Sequence, residues 1–126
     1  MAWRGVLALL SAATLFGAAA CDPRLILFKD HRVVDGSAYG FTIGATIEDT
    51  LSHALALQRR GDFVEFKLGE GSAAELLDPE SPDRALKSDS WQLVVDPTWW
   101  NNAIYLSFER QRLHEIWRLR LCCELP

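Results

Sequence analysis

Cysteine and histidine side chains are the groups of this chain that could act as nucleophiles, general bases or metal ligands. The histidines are His31, His53 and His114, and they lack the H-x-x-x-H or H-E-x-x-H spacing of helical metal sites. Cys122 and Cys123 follow His114 closely, but a Cys–His nucleophile also needs a third group that orients the base. No residue can be assigned to that role. We therefore expect solvated histidines, no metal, no cofactor and no enzymatic activity.

The least usual local feature is the run Trp99-Trp100-Asn101-Asn102, which we predict to lie in a loop between two strands. In such a loop both indole rings can be partly exposed, which suits a protein interface or the lipid headgroup region. The alternative is that one ring covers the core and the other covers the loop. Arg110 and Arg112 lie at a predicted tight connection further on. Trp99, Trp100, Arg110 and Arg112 are therefore the predicted protein-binding residues.

The N-terminal segment has the layout of an export signal. Arg4 gives a positive start, residues 6–16 form an apolar run of eleven residues, and residues 17–20 are small. Such a run is too short to span roughly 30 Å of hydrocarbon, so residues 1–20 are predicted to be a cleaved signal peptide and not a membrane anchor. We expect the mature chain in the bacterial cell envelope, facing the periplasm.

Cys21 lies at the predicted cleavage point. The segment resembles a bacterial lipoprotein signal, in which a peptidase cuts before a cysteine that carries diacylglycerol on its sulfur. Ala19-Ala20-Cys21 fits the positions around that cut, whereas Ala18 replaces a more usual Leu. The resemblance implies a lipid anchor on Cys21, and Asp22 would then bear on whether the inner or the outer membrane retains the protein. Because residues 18–20 also form an A-x-A site, a soluble periplasmic protein that begins at Cys21 is the alternative.

The remaining cysteines leave several arrangements open. Adjacent cysteines such as Cys122 and Cys123 rarely pair with each other, and in a strand they would point to opposite faces. One could be buried as a small apolar residue and the other left free. Without lipidation, Cys21 could instead pair with one of them.

Size and charge narrow the class of protein. Cleavage would leave 106 of the 126 residues, enough for one small domain. Loss of Arg4 would change the formal net charge from −4 to −5. Because phosphate binding needs clustered positive charge, this acidic balance argues against nucleic acid as a partner.

Periodicity predicts a helix over about residues 47–59. Thr46 can cap its free amides, and Gly61 follows as a stop signal. Apolar residues at helical spacing define one face, which we expect to be core: Ile47, Leu51, Ala54 and Leu55.

Period-two alternation predicts strands after the helix. Val64, Phe66 and Leu68 are expected to share one strand face, and further strands are predicted near residues 91–95, 104–108 and 113–121. Residues 69–90 read as a long loop with brief helical turns at 73–77 and 83–86. Residues 21–40 read as the lipid-bearing cysteine and a tether that adds one edge strand. The predicted fold over residues 41–126 is a single α+β domain, with one or two helices packed on a three- to four-stranded antiparallel meander.

This order of elements resembles the SmpA/OmlA-type (BamE-like) small outer-membrane lipoproteins, one of which belongs to the β-barrel assembly machinery. The likeness covers about residues 41–118. It depends on Gly44-Ala45-Thr46-Ile47-Glu48-Asp49-Thr50-Leu51 at the helix start, and on Ile104-Tyr105-Leu106-Ser107-Phe108 followed by Leu113-His114-Glu115-Ile116-Trp117-Arg118. The chain departs from the family after the helix, where Gly61-Asp62-Phe63 replaces a Gly-x-Pro turn.

Two functions are compatible with these features. The resemblance implies an envelope-assembly or scaffold module that binds another envelope protein and is held at the membrane through Cys21. The alternative is a periplasmic inhibitor or immunity-type protein that binds a secreted enzyme, since helix-on-sheet modules of this size serve that use as well.

Overall fold

The computed structural model describes residues 28–98 and 102–121. The predicted signal, Cys21, the pair Trp99 and Trp100, and the pair Cys122 and Cys123 lie outside the described residues. The described elements are, in chain order, β1 (Phe28–Val33), β2 (Ser37–Ala38), β3 (Phe41–Thr42), α1 (Ile47–Arg60), β4 (Glu65–Leu68), the 3-10 helix η1 (Gly71–Ala73), β5 (Glu75–Leu76), the 3-10 helix η2 (Pro82–Lys87), β6 (Ser90–Val94), β7 (Ala103–Glu109) and β8 (Arg112–Leu121).

The boundaries of helix α1 are those its sequence predicts, with one further residue at the end. The Thr46 hydroxyl accepts a hydrogen bond from the Asp49 amide at 3.2 Å, which satisfies one of the free amides of the first turn. Gly61 ends the helix in the left-handed region at φ 84°, where glycine has no steric penalty. The predicted helix is confirmed.

One face of α1 forms the core with the sheet. Ile47, Leu51 and Ala54 are buried as predicted, and Leu55 is partly buried against the same cluster. Leu57 adds a further buried position. The sheet contributes the largest fully buried side chain, Trp91, whose Nε1 donates to the carbonyl oxygen of Ala85 at 3.0 Å and so attaches η2 to the core.

The main sheet has six antiparallel strands in the order β1-β8-β7-β6-β4-β5, and β2 and β3 form a separate two-stranded sheet. The α+β class and the meander β6-β7-β8 are confirmed. The sheet is wider than the predicted three to four strands. The edge strand predicted within residues 21–40 is β1, which lies at one edge of the sheet. Strand β5 at the other edge has two residues, which are too few to show an alternation.

Two local predictions between residues 63 and 77 are wrong. Val64 is 52% exposed and does not share the core face with Phe66. Strand β4 begins only at Glu65, and Phe63, directly before Val64, is the residue that is buried in the core. In place of a helical turn at 73–77, the chain forms η1 and then β5, which pairs with β4. The predicted turn at 83–86 is confirmed within η2.

Strand register assigns each side chain to one of two sheet faces. Leu106 on β7 pairs with Trp91 and Ile116, and these three fully buried residues belong to the face that packs with α1. Tyr105 and Ser107 are the neighbours of Leu106 along β7, so they point to the opposite face. This second face contains the candidate site.

Candidate functional site

A row of small residues crosses the second sheet face. Ser90 on β6 pairs with Ser107 on β7, and the amide of Gly69, just after β4, donates to the Ser90 carbonyl oxygen at 2.9 Å. Because these residues have short or absent side chains, they fill less space than their neighbours. A groove of about 570 Å³ lies here, a size typical of ligand pockets.

Two aromatic side chains form one wall of this groove. Tyr105 on β7 pairs with Trp117 on β8. Tyr105 lies two residues from Ser107, and Trp117 lies two residues from Glu115, and all four residues line the groove. Their ring centroids are 4.8 Å apart, with the planes inclined by 30°. Aromatic pairs of this kind contribute roughly 0.5–1.5 kcal/mol beyond their buried area. Partial burial raises the pKa of the Tyr105 phenol above its ordinary value.

Strand β1 supplies one end of the groove. Arg32 donates to the Glu115 carboxylate at 3.0 Å, and its guanidinium carbon lies 4.4 Å from the centroid of the Trp117 ring. The indole nitrogen of Trp117 donates to Asp30, which is on β1 like Arg32. Trp117 is therefore held by stacking on two sides and by a hydrogen bond at its edge. Its orientation is fixed before any ligand arrives.

Glu70 supplies the other end. It lies in the turn between β4 and η1, lines the groove and is exposed. Within residues 28–98 and 102–121, no cation forms an ion pair with it. The groove thus offers carboxylates at both ends, hydroxyls along its floor and aromatic faces along one wall. Such groups bind a ligand by accepting hydrogen bonds, by charge and by stacking.

The predicted binding arginines lie together on the β7–β8 turn, away from this groove. Arg110 is exposed at the tip of the turn, with φ 54°. Arg112 is also exposed, and its guanidinium donates to the carbonyl oxygen of Gly44 at 2.8 Å, which attaches the turn to the start of α1. Asn102 is the one described residue of the Trp99-Trp100-Asn101-Asn102 run. It adjoins the end of β7 opposite the turn, roughly 20 Å away for a seven-residue strand.

The histidines are exposed and lie apart on different elements. His31 bonds the Tyr39 hydroxyl at 2.6 Å, His53 packs edge-on against Phe41 at 5.5 Å, and His114 lies 3.6 Å from a carboxylate oxygen of Glu109. No group of three His, Cys, Asp or Glu side chains in the described part of the chain could hold a metal ion.

Sequence reasoning missed the groove because its residues become neighbours only through strand register. The sequence predicts that Tyr105, Glu115 and Trp117 lie on strands, but it does not indicate which residues pair with them. It predicts that Arg32 belongs to the tether. One feature of the sequence indicates the groove: an aromatic residue, Tyr105, at an outward position of a predicted strand. An aromatic side chain at such a position does not contribute to the core.

Comparison with protein-family models, with curated proteins and with solved structures returns no match to this chain. Among the helices of the described residues, none combines the length and the apolar character that crossing a membrane requires.

Proposed function

We propose that this chain is a periplasm-facing bacterial lipoprotein whose folded part is a non-catalytic protein-binding module for envelope assembly. The observation that supports it best is the groove beside Tyr105 and Trp117, with Arg32 stacked on the indole. Aromatic and arginine side chains are the residues that most often supply binding energy at protein interfaces.

Rigidity of the groove favours binding. Association costs free energy when side chains must be ordered, roughly 0.5–1.5 kcal/mol for each flexible group. Trp117 avoids most of that cost because Arg32, Tyr105 and Asp30 already fix it. The side chains of Arg32 and Glu115 nonetheless remain 55% and 26% exposed, so a partner can reach them.

The location and the membrane anchor belong to the same proposal and are supported by the sequence alone. Residues 1–20 have the layout of an export signal, and Cys21 lies where a lipoprotein signal has its modified cysteine. Stable anchoring requires more than one acyl chain, which the lipid of such a cysteine supplies.

The experiment is an affinity pull-down of the tagged full-length protein from detergent-solubilised membranes, with partners identified by mass spectrometry. The informative variant is Ser107→Arg, which fills the groove from a partly buried position on its floor. Ser52→Arg on the exposed side of α1 is the matched control, since it adds the same side chain away from the groove.

We expect envelope proteins to be recovered with the wild type and with Ser52→Arg and lost with Ser107→Arg, at an unchanged thermal midpoint. Recovery of a single secreted hydrolase or toxin through the groove would instead identify an inhibitor. Equal recovery of all partners by all three proteins would exclude the groove as the binding surface.

A further inference from the structure

We infer that the groove binds an extended segment of its partner in which two basic residues lie four positions apart. This inference depends on the proposed function, because it states which kind of protein segment the groove takes. It follows from the charges that line the groove, from the number of strands between the two carboxylates and from the way the sheet face already holds one guanidinium.

The charge of the groove selects a basic segment. Its charged lining residues are Glu70, Glu115 and Arg32, so two carboxylates face one guanidinium. Arg32 stacks on the Trp117 ring and bonds one oxygen of Glu115, Oε1, so a partner's basic residue would have to share this carboxylate with Arg32 through the second oxygen. Glu70 forms no ion pair with any residue of the described ranges. A second copy of this acidic chain would add like charge, and a nucleic acid would add phosphates. A basic peptide segment is the complementary partner.

The separation of the strands that carry the two carboxylates sets the spacing of the basic residues. Glu115 is on β8, and Glu70 follows β4, which is three strands further across the sheet. With about 4.8 Å between neighbouring strands, the two backbones lie about 14 Å apart. Four residues of extended chain cover about 13 Å, and residues i and i+4 point to the same side. Between them the small residues Ser107 and Ser90 leave room for the intervening side chain.

Arg32 shows how this surface holds a cation. Its guanidinium combines an ion pair at 3.0 Å with stacking on an aromatic ring at 4.4 Å. Tyr105 lies next to Trp117 on the groove side and offers a second aromatic surface for a partner's basic side chain. Arginine fits better than lysine here, since a planar guanidinium can stack and bond a carboxylate at once.

The test uses the full-length protein in detergent and synthetic nine-residue peptides, with binding followed by NMR shifts of the Trp117 indole and Ser107 amide. The first peptide has two arginines separated by three threonines. The second has the same composition with adjacent arginines, and the third has glutamates in place of the arginines. We expect the first to bind at least threefold more tightly than the second, and the third not to bind.

Protein variants test the two ends of the groove. Glu70→Gln and Glu115→Gln should each weaken binding of the first peptide about threefold, as expected for partly exposed ion pairs. Glu80→Gln removes an exposed acid outside the groove and should have no effect. Added salt should weaken binding of the first peptide to the wild type.

The outcomes separate this inference from the function on which it depends. Equal binding of the first two peptides, or binding unaffected by Glu70→Gln, would overturn the inference. If pulled-down partners are still lost with Ser107→Arg, the proposed function would survive that result. If no partner depends on the groove, the proposed function fails, whichever peptide binds.

Discussion

Arg32 and Trp117 join the edge strand β1 to the neighbouring strand β8, with the guanidinium carbon 4.4 Å from the centroid of the indole ring. The same guanidinium bonds Glu115 at 3.0 Å. Edge strands have only one neighbour, so side-chain contacts of this kind add to a single ladder of backbone hydrogen bonds. These contacts also keep Trp117 oriented toward the groove, which couples the stability of the edge to the shape of the site.

Replacing Arg32 with Ala should loosen β1 without unfolding the core. The loss of one exposed ion pair and one cation–π contact should lower the free energy of unfolding by about 1 kcal/mol. Amide hydrogen exchange should increase at residues of β1 and remain unchanged in α1. Arg84→Ala is the control, because Arg84 is exposed and forms no ion pair within the described ranges. If Arg32→Ala leaves the exchange of β1 at the wild-type rate, the Arg32 side chain does not help to hold the strand in the sheet.

In the turn between β7 and β8, one double variant allows the effect on stability and the effect on binding to be measured separately. Arg110 and Gln111 both have positive φ, at 54° and 66°, as in a type I′ turn. Asn-Gly suits such a turn better, so Arg110→Asn combined with Gln111→Gly should raise the free energy of unfolding by about 1 kcal/mol. Chemical denaturation measures this change. A lower stability would show that at least one of the two replaced side chains supports the turn.

The same double variant tests Arg110 as a binding residue. If Arg110 contributes to binding, recovery of the partner in the pull-down should fall although the protein has become more stable. Unchanged recovery would restrict the role of this turn to folding.

The pKa of Tyr105 gives a prediction for alkaline pH. Burial raises the pKa of its phenol in the folded state above the ordinary value of 10.0. Above pH 10 the unfolded chain therefore loses this proton more readily than the folded chain, so the phenol makes stability fall as pH rises through and beyond that value. Tyr105→Phe should remove this part of the decline. The slope of unfolding free energy against pH from 9 to 11 measures it, and identical slopes for both proteins would contradict it.

The helix and the central strands could be predicted because each has a local cause. Thr46, the apolar face of α1 and Gly61 define the helix within the chain itself. Leu106 and Phe108 alternate with outward residues because one sheet face is buried. The prediction for Val64 is wrong because alternation gives the face of a residue only within the strand, and β4 begins at Glu65, one residue after Val64.

The groove could not be predicted because it depends on a single irregularity of register. The turn pairs Glu109 with Arg112, and simple continuation of that register would place Tyr105 opposite Ile116. A bulge between Ser107 and Phe108 shifts the pairing by one residue, so Tyr105 faces Trp117. One residue of slip exchanges the two faces of a strand. The aromatic wall therefore exists only because of a feature that no local sequence pattern indicates.

Trp99 and Trp100 lie outside the described residues, and their predicted role in binding stays a prediction. Replacing both with Ala should leave the thermal midpoint nearly unchanged if they belong to an interface, while partner recovery falls. Removal of a large aromatic residue from a core costs about 3–5 kcal/mol, so a marked drop of the midpoint would assign them to the core. Trp91→Ala provides the reference for such a drop, since Trp91 is fully buried.

Lipidation of Cys21 is the remaining expectation with a direct test. Cys21→Ser removes the sulfur that would carry diacylglycerol. The variant should either appear in the soluble periplasmic fraction or keep its signal uncleaved, because a processed chain without acyl groups has no stable hold on the bilayer. Cell fractionation together with the intact mass of the purified protein distinguishes these cases. A correctly processed Cys21→Ser protein that stays in the membrane fraction would contradict the prediction that a lipid on Cys21 anchors the protein. The protein would then be held at the membrane by something other than a lipid on Cys21.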